Sequence, residues 1–261
     1  MFMPFPKTPI LLFHKIDDFF EWGITRQKTS QFEREIRFLY ENGYKTAAIE
    51  ESEELDSKNK KVILTFDDGY ENIYQNAFPI LQKYEMFGYV FIPTGYVGKT
   101  NSWDANLGNK KFKHLTWQQI EEMSKYGFIF GSHSINHPDL TKLPDKHLQY
   151  ELKVSKSELE RKLGKKVDLL SYPFGKTNSK VCAKAQEAGY KKGFTICKNA
   201  SQLNDFAISR KPLYLIDSLL SFKIKLEQNN WIWIEDIKSK IINSFANGTI
   251  IVKRLPRYED V

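Results

Sequence analysis

Lys61-Val62-Ile63-Leu64-Thr65-Phe66-Asp67-Asp68-Gly69-Tyr70 is the stretch on which the reading of the whole chain turns. An apolar, β-branched run reads as a strand, and this one ends in two adjacent carboxylates. Like charges side by side repel, so such a pair on the rim of a core is held by a cation or works with its protons separated. A second segment supplies the other half of the pattern. Gly131-Ser132-His133-Ser134-Ile135-Asn136-His137 follows another short apolar run, Phe128 to Phe130, and offers two imidazoles four residues apart. Taken alone, Asp-Gly is a turn signal and a His pair at this spacing is an ordinary helix face. Together they form an Asp-plus-two-His set, a common incomplete shell for a catalytic divalent ion with positions left open for water.

Outward from these segments, short β-branched runs alternate with amphipathic helical patterns, which predicts parallel strands joined by crossover helices. Ser30-Gln31-Phe32-Glu33 has the form of a capping box and opens a helix with Phe32, Ile36, Leu39 and Tyr40 on one face, ending before Gly43. Strands are expected at Lys45 to Ile49, Lys61 to Phe66, Tyr89 to Ile92, Phe128 to Phe130 and Val167 to Tyr172. Between and after them fall helices from Ile73 to Tyr84, from Thr116-Trp117-Gln118-Gln119 to Gly127, from Lys146 to Leu163 before Gly164, and from Lys180 to Ala188 before Gly189. Every chemical motif then sits at the C-terminal end of a strand, and in a barrel of parallel strands those ends share one rim. Trp231-Ile232-Trp233-Ile234 alternates like a strand or an aromatic surface and is expected to pack into the core.

With 261 residues and no Gly/Ser-rich or Pro-rich linker, the chain reads as one domain, 1–261. Its 41% hydrophobic content is ample for a core, yet no run is long enough for a membrane span. The opening Met1-Phe2-Met3-Pro4-Phe5-Pro6-Lys7 lacks the features of a signal peptide, so the sequence as written reads as cytoplasmic, or as extracytoplasmic if it is a processed form. Cys182 and Cys197 do not make a disulfide framework. The formal charge of +7 comes mostly from lysine clusters in predicted turns, among them Lys110-Lys111-Phe112-Lys113, and reads as a solvated surface rather than a nucleic-acid footprint. Nothing in the sequence addresses the oligomeric state.

The two motifs, with Ser171-Tyr172-Pro173-Phe174-Gly175, make the chain resemble the polysaccharide deacetylases of carbohydrate esterase family 4, whose motifs read T-F-D-D-G and H-S/T-x-x-H. The third family motif usually reads Arg-x-Pro-Tyr-Gly; here Ser171 stands in the Arg position. That departure, together with the opening Ile10-Leu11-Leu12-Phe13-His14, is similar to the poly-N-acetylglucosamine deacetylase-like members. The resemblance runs from about Ile10 to Arg210 and implies an α/β fold, a distorted or incomplete (β/α)7-type barrel. It implies Asp68, His133 and His137 as metal ligands and Asp67 as the general base; spacing alone does not choose between the two aspartates. It also implies the backbone N–H of Phe174 as an oxyanion donor, with Gly175 allowing a tight turn.

Three family features are missing. No histidine follows His147, so the usual C-terminal acid histidine is not visible, nor is the Asp/Trp motif that supports it, and His14, on the same rim, is proposed as the acid, as the resemblance to the poly-N-acetylglucosamine deacetylase-like members suggests. Arg210, in Ile208-Ser209-Arg210-Lys211-Pro212, is the candidate to replace the motif-three Arg that orients the base. His114 and His147 are expected to face solvent, and Trp103 and Trp117 either stack on sugar rings or pack. The expected function is a metal-dependent hydrolase removing N-acetyl groups from an amino-sugar polymer or oligosaccharide, with a saccharide as its partner. Zinc suits the ligand set, as do Co²⁺, Ni²⁺ and Fe²⁺. The alternatives are a hydrolase of a small cyclic amide or imide, and an inactive saccharide-binding homologue.

Overall fold

The structure, a computed structural model, describes residues 8–19, 24–49, 60–101, 111–196, 205–227 and 231–250. Its strands are β1 (Ile10–Phe13), β2 (Lys15–Ile16), β3 (Arg26–Gln27), β4 (Tyr44–Thr46), β5 (Lys60–Phe66), β6 (Tyr89–Ile92), β7 (Ile129–Ser132), β8 (Leu169–Ser171), β9 (Lys192–Thr195), β10 (Ile208–Ser209) and β11 (Lys211–Pro212). The helices are α1 (Thr29–Glu41), α2 (Phe78–Lys83), α3 (Trp117–Lys125), α4 (Asp145–Leu163), α5 (Ser179–Glu187), α6 (Leu219–Glu227) and α7 (Ile232–Ile250).

The main sheet runs in the order β10, β9, β8, β7, β6, β5, β1, β11, with β4 added alongside β5, and every pairing is parallel. β10 and β11 are two halves of one extended segment, 208–212. The first half pairs with β9 and the second with β1, so the sheet returns on itself at Arg210. The result is a nearly closed barrel wrapped by helices. It is a distorted one: β7 and β8 share a single registered pair, Ser132 with Leu170.

Strand parity decides what points inward, because side chains alternate between the two faces of a strand. Ile63, Tyr89, Phe91, Leu169 and Phe194 form an apolar plug inside the barrel, with Ile10, Ile129 and Ile208 against it. Their neighbours Leu11, Phe13, Leu64, Phe66, Phe130 and Leu170 face outward onto Phe32, Ile36, Leu81, Ile120, Leu148 and Leu152 of the helices. Following the inward parity to each strand's C-terminal end gives His14, Asp67, His133, Ser171 and Arg210. The polar site is therefore the continuation of the plug, two or four residues further along each strand.

Several local expectations hold. The Thr116–Gln119 capping box is formed in both directions, and α4 ends at Gly164 in the left-handed conformation, φ 64°. Others are corrected. α1 begins at Thr29, with no side-chain cap from Ser30; the Thr29 N–H is met instead by the Asp18 carboxylate, 3.2 Å away, across the chain. Tyr40 is exposed rather than on the buried face. β4 stops at Thr46 because it pairs only with the lower half of β5, Lys60 to Val62. Ile73 to Ala77 is π-helical before α2 takes over. Trp231 to Ile234 is no strand: it starts α7, and Trp231, Trp233 and Ile234 are exposed. No helix among the described residues is long and apolar enough to cross a membrane. Cys182 is a free, half-buried thiol, whereas Cys197 and Trp103 lie outside the described residues.

Candidate active site

Asp67 leaves β5 pointing inward and is gripped from two sides. Arg210 donates to both of its oxygens, Nη1 to Oδ1 at 2.8 Å and Nη2 to Oδ2 at 2.7 Å. The Ser171 hydroxyl donates to Oδ2 at 3.0 Å and itself accepts from Arg210 Nη2 at 2.8 Å. The guanidinium lies over the plug, 5.5 Å from the Phe91 ring and 5.6 Å from Phe194. Both members of the pair are almost fully buried. Burial by itself would raise the Asp67 carboxyl, but the Arg210 charge, aided by His133, outweighs it and holds the group below its ordinary value.

Asp68 turns the other way. Its backbone adopts φ 67°, and Gly69 continues at φ 56°, where a side chain would strike Ile92. The turn is pinned from below: His114 Nδ1–H donates to the Asp68 carbonyl at 2.8 Å, and Leu115 N–H donates to that of Gly69 at 2.9 Å. His114 is buried and stacked on Tyr70, which corrects the expectation that it faces solvent. His147 is half-buried in α4.

The structure brings Asp68, His133 and His137 together, with one donor atom from each lying within 4.8 Å of the others. Asp68 Oδ1 is 3.4 Å from His133 Nε2 and 3.2 Å from His137 Nε2. His133 Nδ1–H donates to the Ser171 carbonyl at 2.7 Å, which fixes the tautomer and leaves Nε2 aimed at the cluster. An acceptor-bound imidazole, a second imidazole and a buried carboxylate fit a divalent cation. Burial pushes the Asp68 carboxyl up, but the hydrogen bonds from the two histidines outweigh it and hold the group well below the usual carboxylate value. Burial pushes His133 down, yet the Asp67 charge and the bond to Asp68 leave it raised.

Backbone strain concentrates here. Five non-glycine residues among those described have positive φ, and four of them are Asp68, Ser134, His137 and Phe174. Each costs about 1 kcal/mol or more, and such strain persists only where the surroundings over-determine it. His137 N–H donates to Ser134 Oγ, and Thr94 N–H donates to the Ser134 carbonyl. Phe174, φ 60°, sets its ring edge-on to His137 at 4.6 Å. Gly175 follows at φ 62°, against Ile196, so the tight turn expected there is present. The Asp139–Lys176 ion pair, 3.3 Å, ties this loop to the histidine loop.

His14 continues β1 inward, and the charges of Asp68, Asp67, Arg210 and His133 all act on it. Burial pushes its pKa down against the pull of the two aspartates. Its Nδ1 is buried, with no hydrogen-bond partner among the described residues. Trp117 is half-buried and packed against the core at the start of α3. Sequence reasoning treated Ser171 only as a missing arginine. Its parity with Leu169 in β8 was the signal that it shares the barrel interior.

The barrel, the inward polar crown and the matched motifs define a class. Residues 54–193, more than half of the chain, match the family model described as polysaccharide deacetylase, and the chain belongs to that family. It is 33% identical over 194 residues to the protein named "Putative polysaccharide deacetylase YxkH" of Bacillus subtilis, covering 72% of this chain and 64% of that protein. It is 31% identical over 196 residues to the poly-beta-1,6-N-acetyl-D-glucosamine N-deacetylase of Staphylococcus aureus, covering 69% and 65%. The alignments thus span just under two thirds of the length of these relatives. Among solved structures, the Streptococcus pyogenes deacetylase PplD in complex with acetate superposes with a TM-score of 0.73 at 26% identity, covering 86% of this chain and all of that one.

Proposed function

We propose that this protein is a metal-dependent hydrolase that removes N-acetyl groups from an N-acetylated amino-sugar polymer or oligosaccharide. The observation that carries the reading is the division of labour between two adjacent carboxylates. Asp67 is neutralised by a bidentate arginine and kept ionised, whereas Asp68 is turned toward two imidazoles. The name of the Staphylococcus aureus relative supports the substrate class, and the acetate named with the Streptococcus pyogenes structure supports the leaving acyl group.

Asp68, His133 and His137 would hold a divalent cation, with zinc the expected one, which would supply Lewis-acid polarisation of the acetyl carbonyl and acidify a water. The remaining work belongs to side chains of the chain. Asp67 accepts the proton of the attacking water, and Arg210 with Ser171 hold its carboxylate in one orientation. The Phe174 N–H, displayed by its left-handed backbone, donates to the oxyanion. His14 is assigned the proton that the departing amine takes up. The amide C–N bond breaks, acetate carries away the water oxygen, and the sugar amine leaves protonated.

Acetate release from N-acetylglucosamine oligomers by the metal-reconstituted protein tests this reading, run beside His14→Ala and beside a small cyclic imide as substrate. Release from the oligomers, strongly reduced in His14→Ala, is expected. Turnover of the imide alone moves the substrate to cyclic amides. No turnover of either, despite stoichiometric metal, leaves a saccharide-binding homologue.

A further inference from the structure

We propose that Glu151, a buried residue of α4, is a positioning residue for the metal centre: its carboxylate fixes the loop between His133 and His137 and thereby aims the His137 ring. The inference rests on the reading that Asp68, His133 and His137 hold a divalent cation.

Glu151 has no exposed surface. Its Oε2 accepts from the Ile135 N–H at 2.7 Å and the Asn136 N–H at 3.0 Å, and its Oε1 accepts from Asn136 Nδ2 at 2.9 Å. Those two N–H groups belong to the residues lying between Ser134 and His137, the two left-handed positions of the loop. The carboxylate therefore grips the only stretch separating the strained ends. One turn further along the same face of α4, Ser155 Oγ accepts from Ser132 Oγ at 2.8 Å, and Ser132 Oγ accepts from the Ser134 N–H at 3.2 Å. On the opposite side the Gly95 N–H donates to the Ile135 carbonyl at 3.0 Å. The loop is thus held at each residue from Ser134 to His137, and Glu151 provides the charged hold at its centre.

A buried carboxylate is costly to desolvate and is compensated only when its oxygens are hydrogen-bonded, as three N–H donors do here. The geometry it enforces ends at His137, whose ring meets Asp68 on one side and Phe174 on another. A ligand rotated by a loop shift loses its place in the coordination shell, and partners of this outer kind change metal affinity by about 10–100-fold when removed. Glu151→Ala leaves both loop N–H groups without an acceptor. Glu151→Asp keeps the charge and shortens the reach. Glu151→Gln retains one oxygen for the two backbone donors, while the Asn136 amide can turn to meet the new N–H.

The test is titration of the metal-free full chain with Co²⁺, followed by the visible absorption of the bound ion, with thermal melting of each metal-free variant alongside. Wild type binds one Co²⁺. Glu151→Ala is expected to bind at least about 10-fold more weakly with a changed absorption spectrum, Glu151→Asp several-fold more weakly, and Glu151→Gln close to wild type. If Glu151→Ala does not fold, Glu151→Asp carries the test. Wild-type affinity and spectrum in Glu151→Ala and Glu151→Asp, whatever their melting temperatures, overturn the role of Glu151 and leave the metal reading standing. Failure of the wild type itself to bind Co²⁺ overturns the metal reading, and this inference with it.

Discussion

Two buried clusters of charge lean on the segment that closes the barrel, and they are built to opposite ends. Between α6 and α7, Asp217 and Glu235 meet Lys225 and Lys238, two acids against two lysines. Lys225 Nζ lies 2.5 Å from Asp217 and 3.4 Å from Glu235, Lys238 lies 3.1 Å from Glu235 and also pairs with Asp217, and Lys225 donates to the Pro212 carbonyl at 2.8 Å. The charges balance. On the rim, two residues away in sequence from Pro212, Arg210 neutralises Asp67 and leaves Asp68 in excess among imidazoles. Strained backbone surrounds the rim cluster, and none of the positive-φ residues lies in the α6–α7 one. A balanced cluster fastens helices; an unbalanced, strained one makes room for a cation and a reaction.

Substitutions can break this contrast, and the largest effect belongs to the excess carboxylate. Asp68→Asn is expected to abolish stoichiometric metal uptake and turnover together while leaving the fold, read by circular dichroism. Arg210→Met strands Asp67 without its counter-charge. It should lower stability by about 3–5 kcal/mol in urea unfolding and turnover by about 100-fold, with metal uptake retained. Lys225→Met strikes the balanced cluster, where Lys238 still covers Asp217, so a loss of about 3 kcal/mol is expected with the turnover of the folded fraction unchanged. A matching loss of turnover would erase the distinction.

Beside the balanced cluster lies one further acid. Glu35 has no exposed surface, and burial pushes its carboxyl up to about 8, against hydrogen bonds from Gln27 and Gln31. A raised folded-state value means that the protonated form stabilises the fold. That contribution is complete below about pH 4.5 and is lost as pH rises through about 8. Wild type should therefore lose stability between pH 5 and 8. Glu35→Gln should flatten that slope and be more stable at pH 7 by up to about 3 kcal/mol. Urea midpoints across that range check both.

The parts of this molecule that were legible in the sequence are those encoded locally. The Asp67-Asp68-Gly69 turn, the histidine spacing, the Thr116–Gln119 box and the Gly164 stop each depend on residues within a few positions. Legible only in part was what depends on closure. Arg210 could be named from the sequence as a candidate to orient the base, but its bidentate grip on Asp67 spans 143 residues: segment 208–212 is the last stave, and only the closed sheet puts the two side by side. Ser171 was read as the loss of an arginine, whereas its hydroxyl joins Arg210 on the Asp67 carboxylate. His114 looked solvent-facing because its partner is a backbone carbonyl 46 residues away, and Glu151 looked like any helical glutamate until the loop folded over it. The alternation at Trp231 imitated a strand, whereas Trp233, Ile237 and Ile241 are spaced for one exposed face of a helix.

The central claim is that the adjacent aspartates have separate tasks, and Asp67→Asn tests it most directly. Metal content and acetate release from N-acetylglucosamine oligomers would be measured on the same reconstituted sample. The account predicts one metal ion per chain, as in wild type, with turnover reduced by about 10²–10⁴-fold. Full turnover with metal retained, or loss of the metal itself, would contradict it.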